Sequence, residues 1–224
     1  MSTDSPATET DSDTAGRDRS MSTGDIAALY DEMAPQYDRW DWANRLFSAP
    51  LRKRAFADAS GRVLDVACGA GTNFRYLPHG AQLVGVDVSA EMVEAARAEL
   101  ADLRRGGTVY RMDAQALQFP DDSFDTVVSA LSTCTFPDPV AAISEMARVC
   151  RPDGRVRLLE HGRSDVELLG RFQDWRADAH YEQHGCRWTQ DPLGHFEAVD
   201  LTVVDSETRF LGMVTIIEAR PTTA

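Results

Sequence analysis

Residues 65–72 read Asp65-Val66-Ala67-Cys68-Gly69-Ala70-Gly71-Thr72. Glycines at alternate positions let a backbone approach a ligand without Cβ clashes. Downstream, Leu83-Val84-Gly85-Val86-Asp87 carries an apolar run into a carboxylate. A carboxylate so placed can accept two hydrogen bonds from a ribose diol. Gly-x-Gly alone is weak evidence for any one ligand. A dinucleotide fingerprint requires Gly or Ala three residues after the second glycine, where a helix N-terminus holds a pyrophosphate. Phe74 stands there, so a dinucleotide is not the expected ligand and a nicotinamide-dependent oxidoreductase is disfavoured.

A second group of reactive residues lies toward the C-terminus. Leu159-Glu160-His161 ends an apolar run on a histidine, a candidate general base. The alternative is a histidine that only hydrogen-bonds to a neighbouring loop. His180, His184 and Cys186 form an H-x3-H-x-C pattern without a clear fourth ligand. No metal site is expected from it. The four cysteines, Cys68, Cys134, Cys150 and Cys186, include no C-x-x-C pair. Their spacing argues against a disulfide framework or a Cys-based zinc site and fits a reducing, cytoplasmic setting. Cys68 and Cys150 are expected in the core, and Cys134 is placed toward a pocket.

The elements that must position these groups alternate along the chain. Residues 1–24 are Ser, Thr, Asp, Ala and Gly with almost no large apolar side chains, so a disordered acidic tail is expected. From Asp25, Ile26, Leu29, Tyr30 and Met33 recur at helical spacing. Pro35 is expected to end or kink that helix, and a second helical stretch is read over about Asn44 to Ala57. Strands are read at Arg62–Ala67, Gln82–Val86, Thr108–Arg111, Phe124–Ala130 and Arg155–Glu160. Helices are read from Ala90, capped by Ser89, and from Asp138-Pro139 to Cys150. Two β-rich runs follow, near Phe196–Val204 and Phe210–Ala219. Strand–helix alternation implies parallel pairing with right-handed crossovers, a doubly wound α/β sheet. Residues 163–194 break the alternation and carry Trp175, Tyr181 and Trp188. They are expected as an insertion over the carboxyl edge of the sheet, with these aromatics as an acceptor wall or as core.

Composition bounds the function classes. With 224 residues, 43% hydrophobic and 26% charged, the chain can bury a sizeable core. No run of 18 apolar residues occurs, so no integral membrane segment is expected, and the start shows no signal-peptide pattern. The net charge is −13. Such a field repels phosphate backbones and argues against nucleic acid as a partner. Lys53 is the only lysine, the other 22 basic residues are arginines, and Asp outnumbers Glu 24 to 12. An Asp-rich, Lys-poor surface reads as halophilic; a GC-rich genome is the alternative. Oligomeric state is left open.

Five motifs in order carry a family resemblance. Val63 to Thr72 resembles the first motif of the class I S-adenosylmethionine-dependent methyltransferases. Asp87 matches their acidic ribose ligand, Met112-Asp113-Ala114 their third motif, and Phe124-Asp125-Thr126-Val127-Val128 their fourth strand. Glu145 to Gly154 resembles their E-x-x-R-V-L-x-P-G-G signature, with Asp153 in place of the first glycine of P-G-G. Ala67 replaces the first glycine of the first motif. Tyr30 to Asp38 resembles the lid of the quinone- and phospholipid-methylating subgroup. The resemblance implies a Rossmann-like, seven-stranded, mostly parallel sheet with helices on both faces, lid helices over 25–60, and S-adenosylmethionine as methyl donor. It implies cofactor contacts at Tyr30, Tyr37, Asp65, Ala67, Gly69, Gly71, Asp87, Val88, Met92, Asp113, Ala114 and Ser129. Within that set, Gly69 and Gly71 line the methionine portion, Asp65 orients the loop or accepts from the ammonium, and Asp113 reads the adenine edge. Met92 either packs on the adenine or belongs to the helix core. Asp125 is read as structural.

Acceptor-side motifs point further. Glu160-His161, Gly185-Cys186-Arg187-Trp188-Thr189 and Gly71 to Pro78 resemble the methyltransferase-like thiol methyltransferases. The implied acceptor is a small molecule: a thiol, a quinone or a lipid-like compound, with His161 as catalytic candidate. A non-catalytic protein that binds S-adenosylmethionine is the competing reading.

Overall fold

The structure, a computed structural model, describes residues 20–222, with side chains for all of these except 36–47. Most of the tail expected over 1–24, and the Tyr37 side chain, lie outside the described residues.

Helix α1 spans Thr23–Phe56 and opens on a capping box. The Ser22 hydroxyl accepts from Asp25 N–H while the Asp25 carboxylate accepts from Ser22 N–H, satisfying two backbone donors at once. The expected break at Pro35 does not occur. Pro35 and Pro50 both lie inside one helix. A proline removes one donor and crowds the carbonyl four residues back, which bends a helix without having to end it. The first helix also starts earlier than expected, since Ser22 is already the cap.

Seven strands follow: β1 Arg62–Val66, β2 Gln82–Asp87, β3 Gly107–Arg111, β4 Phe124–Ala130, β5 Cys150–His161, β6 Leu201–Arg209 and β7 Val214–Pro221. Their order in one sheet is β3-β2-β1-β4-β5-β7-β6. The first five pair in parallel and β7 runs antiparallel between β5 and β6. Helices α2 Ala90–Asp102, α3 Pro139–Val149 and α4 Glu167–His184 complete the fold. The α/β, Rossmann-like expectation holds.

The two faces of β1 show why Val63, Leu64 and Val66 are all apolar. Val63 packs with Phe56, Phe74 and Val93 on the side of α1 and α2. Leu64 and Val66 pack with Ile143, Met146 and Phe196 on the side of α3. A strand covered on both faces has no solvent side to make polar.

Three boundaries differ from expectation. β5 begins at Cys150 because the Pro152-Asp153-Gly154 turn is taken up as an irregularity in its pairing with β4, between Phe124 and Thr126. Phe196 lies in a short 3₁₀ helix, Gly194–Ala198, and the strand starts only at Leu201. Phe210, Leu211 and Gly212 form the hairpin tip, all with positive φ, so β7 starts at Val214. The segment 163–194 contains α4, which ends on left-handed Gly185. Its apolar residues Leu168, Phe172 and Trp175 are exposed. That removed the buried stripe by which periodicity identifies a helix. Among the described residues, no helix is long and apolar enough to cross a membrane.

Candidate active site

A cavity opens at the carboxyl ends of β1, β2, β3 and β4, under the start of α1. Every strand contributes through the loop that follows it: Ala67 to Asn73, Asp87-Val88, Met112 to Ala114, and Ala130 to Pro137. This is where parallel α/β sheets bind ligands. Gly69 has a φ of +53° and nothing within 4 Å of a Cβ added to it. Its N–H donates to Asp87 Oδ2 at 2.8 Å, and Ser89 N–H donates to Asp87 Oδ1 at 3.0 Å. Asp87 therefore clamps the glycine loop to the start of α2 while lining the cavity. Burial raises its pKa.

Tyr30, Ala67, Gly69, Asp87, Val88, Met92, Asp113 and Ala114 all line this cavity. Met92 is also 1% exposed, so it is core and cavity wall together. Asp113 already accepts from Thr23 Oγ1 at 3.1 Å and from Gln115 N–H at 2.9 Å. Gly71 and Ser129 are off the wall, and Asp65 takes the loop-orienting place of its two expected ones. Gly71 is not on the wall; with φ +80°, a Cβ there would lie 2.6 Å from the Phe74 ring. Its glycine makes room for Phe74 to pack. Ser129 is fully buried and donates to Val66 O at 2.6 Å, stitching β4 to β1. Asp65 lies behind the wall. Its Oδ1 accepts from Asn73 Nδ2 at 2.9 Å, while its Oδ2 is buried without a hydrogen-bond partner. Burial pushes its carboxyl up to about 7, against the Asn73 bond and nearby Arg52. Asp125, read as structural, accepts from Arg62 N–H at 2.7 Å and pairs with Arg151.

Arg52, Asn73 and Thr23 line the same cavity and were not expected there. Arg52 sits in Leu51-Arg52-Lys53-Arg54, which reads as a solvated basic face. Only its 5% exposure and its bonds to Ser48 and Asn73 reveal a buried cation. Asn73 could have been found, since it follows the glycine loop directly.

A second cleft meets the first at Leu131, which lines both. Leu131 holds φ +56°, a strained conformation for a branched side chain. Leu51, Leu159, Trp188, Phe210, Met213 and Val214 make this cleft apolar, and His161 and His180 are its titratable groups. His180 stacks on Trp188 with ring centroids 4.3 Å apart.

Behind His161 lies a cluster the spacing concealed. His161 Nε2 is 3.3 Å from Cys186 Sγ. Cys134, His161 and Cys186 place their ligand atoms within 4.8 Å of one another. Arg187 N–H donates to Cys134 O at 2.9 Å, joining the two loops that carry the cysteines. The hydrogen bond with Cys134, with help from His161, lowers the Cys186 thiol below its ordinary value despite burial. The same bond, together with burial, pushes Cys134 well above the ordinary thiol value. Burial disfavours the His161 imidazolium, but Cys186 and buried Glu160 outweigh it and raise the pKa. Cys134 is 1% exposed and does not line the cofactor cavity, contrary to its expected place.

The comparisons with known proteins agree with this geometry. A methyltransferase domain family matches residues 64–158. Phosphatidylethanolamine N-methyltransferase of Cereibacter sphaeroides is 34% identical over 190 residues, 77% of this chain and 91% of that protein. The chain belongs to the class I S-adenosylmethionine-dependent methyltransferases. It is an enzyme of that family, with S-adenosylmethionine as methyl donor. A mitochondrial methyltransferase of Saccharomyces cerevisiae is 30% identical over 220 residues, 88% of this chain. The chain spans 46% of that protein's length. Demethylmenaquinone methyltransferase of Clavibacter sepedonicus is 34% identical over 163 residues, 70% of this chain and 66% of that protein. Among solved structures, the [4+2]-cyclase SpnF superposes with TM-score 0.74 at 18% identity, covering 91% of this chain and 98% of its own. A methyltransferase from Mesorhizobium loti gives 0.60 at 17%, covering 77% and 97%. These two likenesses concern the fold.

Proposed function

We propose that this methyltransferase modifies a small apolar acceptor, a thiol, quinone or lipid-like molecule, held in the cleft beside the cofactor cavity. One observation carries the reading: an apolar cleft walled by His161 adjoins the cofactor cavity, with Leu131 common to both. When bound, S-adenosylmethionine supplies an electrophilic methyl on a sulfonium. The chain's own residues align and desolvate, because methyl transfer is an in-line displacement that needs little else.

Asp87 accepts from the ribose hydroxyls with lone pairs left over from Gly69 and Ser89. Asp113 meets the adenine edge. Arg52 offers a buried cation to the methionine carboxylate. Asp65, behind the wall, holds the Asn73 side chain that lines the cavity. Leu131, Trp188 and Phe210 exclude water on the acceptor side. His161 belongs to the transfer machinery as a titratable group on the cleft wall, where an imidazole acts as base for an acceptor proton. The relatives' quinone and phospholipid acceptors support an apolar substrate. The acidic, lysine-poor surface supports a cytoplasmic, high-salt setting.

The test is S-adenosylhomocysteine release in molar KCl against thiols, quinones and phospholipids. Turnover with at least one class is expected. His161→Ala should lower it by ~10²–10⁴ with cofactor affinity unchanged, since its ligands lie on other strands. Cofactor binding without turnover on any acceptor would favour a non-catalytic binder.

A further inference from the structure

The Cys134–His161–Cys186 cluster has the make-up of a three-ligand soft-metal site. Two sulfurs and an imidazole nitrogen lie within 4.8 Å of one another. Tetrahedral zinc takes thiolates at about 2.3 Å and imidazole at about 2.0–2.1 Å, so its ligand atoms stand 3–4 Å apart. His161 Nε2 and Cys186 Sγ are already 3.3 Å apart.

The surroundings match as well. Nε2 is the ring nitrogen of His161 turned toward the Cys186 sulfur. Gln190 Nε2 donates to His161 O at 3.0 Å and to Thr133 Oγ1 at 2.9 Å, beside Cys134. Glu160 is fully buried next to His161 and accepts from Ser132 and Thr133 N–H, fixing the loop that carries Cys134. The loops that carry Cys134 and His161 are thus held by backbone and neighbouring side-chain bonds, while Cys134 Sγ donates to Leu131 O at 3.9 Å.

We propose that Cys134 Sγ, His161 Nε2 and Cys186 Sγ hold a zinc ion whose fourth position takes the sulfur of a thiol acceptor. The first half stands on the cluster; the second rests on the cleft being the acceptor site. Zinc with three protein ligands and one open position is the arrangement of catalytic rather than structural sites, and His161 is both ligand and cleft wall. His161 Nε2 then serves the metal instead of the acceptor's proton. The thiol loses its proton to water on binding zinc. The zinc-bound sulfur attacks the methyl carbon, forming the new S–C bond as the sulfonium S–C bond breaks. The products are S-adenosylhomocysteine and a neutral thioether, a weak ligand that leaves the ion.

The experiment uses the full chain, reduced and dialysed against zinc sulfate and then metal-free buffer. Plasma mass spectrometry is expected to find one zinc per chain. Cys134→Ser, Cys186→Ser and His161→Gln should each weaken zinc binding at least as much as the ~10–100-fold that loss of an outer partner costs. Circular dichroism serves as the folding control for all three variants, and calorimetry with S-adenosylhomocysteine adds a second for His161→Gln and Cys186→Ser, whose segments do not line the cofactor cavity. Cobalt substitution should give thiolate-to-cobalt absorption that shifts when an aliphatic thiol is added and does not shift with a quinone. A reduced chain that retains no zinc while binding S-adenosylhomocysteine normally overturns the site. Zinc bound with no thiol-dependent shift overturns the fourth-ligand role. Neither result touches the acceptor panel, which would fail separately.

Discussion

Asp87 lines the cavity, and its two oxygens accept from Gly69 and Ser89 N–H; a carboxylate has further lone pairs to offer a ligand. A charge-assisted hydrogen bond contributes roughly 1.5–3 kcal/mol, so Asp87→Ala should weaken S-adenosylmethionine binding at least ~10-fold while the chain stays folded. Calorimetry beside circular dichroism reads both, and unchanged affinity refutes the ribose assignment. Asp65 poses the opposite problem. Its carboxyl is raised to about 7 by full burial, above its value of 3.8 in an unfolded chain. A raised carboxyl favours the protonated folded state. Its contribution is complete below 3.8 and is lost as pH climbs through 7, with an upper bound of ~4 kcal/mol from the 1.36 kcal/mol per pKa unit. Urea unfolding from pH 4 to 8 should show Asp65→Asn gaining on the wild type as pH rises. Parallel curves would show that Asp65 does not titrate in this range.

Among the elements, α1 does the most to close the site. Asp31 accepts from Ser89 Oγ at 2.5 Å and Glu91 N–H at 3.2 Å, so α1 sits on the start of α2. Thr23 reaches Asp113, and Met21 N–H donates to the Tyr181 hydroxyl on α4 at 2.7 Å. Gly185, at the end of α4, is left-handed, and a Cβ there would stand 2.6 Å from Ile26 Cδ1 on α1. A non-glycine residue in this conformation costs ~1–2 kcal/mol. Gly185→Ala should lose at least that much in chemical denaturation, because α1 must also move. A neutral result would mean that α1 and α4 are not packed this closely in solution. This join was not legible in the sequence. Glycine after a helix is a familiar stop signal, but α4 itself was hidden by exposed Leu168, Phe172 and Trp175.

For the molecule as a whole, charge outweighs pairing. Arg97–Glu94 and Arg163–Asp174 are exposed pairs, of the kind that contributes ~0–1 kcal/mol each. They leave a net charge of −13 to repel itself. The Debye length falls from ~10 Å at 0.1 M salt to ~3 Å at 1 M. The melting temperature should therefore rise from dilute buffer to molar KCl, by ~2–4 °C for each kcal/mol of repulsion removed. A flat curve returns the arginine and aspartate bias to genome composition.

The amino-acid sequence determined what short, contiguous segments settle. Buried parallel strands are apolar on both faces and read as strands wherever they lie. The Gly69 loop and Asp87 act from one βαβ unit, so their ligand chemistry is written locally. Tertiary structure decided what distant segments share. Arg52 became a buried cation only because α1 runs unbroken under the loop carrying Asn73. Spacing grouped Cys186 with His180 and His184, while folding brought it to Cys134 and His161. Those three residues end or follow β4, β5 and α4. They converge because parallel strands paired in register bring their carboxyl ends to one edge of the sheet. The backbone bond from Arg187 to Cys134 then holds the last loop against that edge, a contact between residues too far apart in the chain for any local pattern to record.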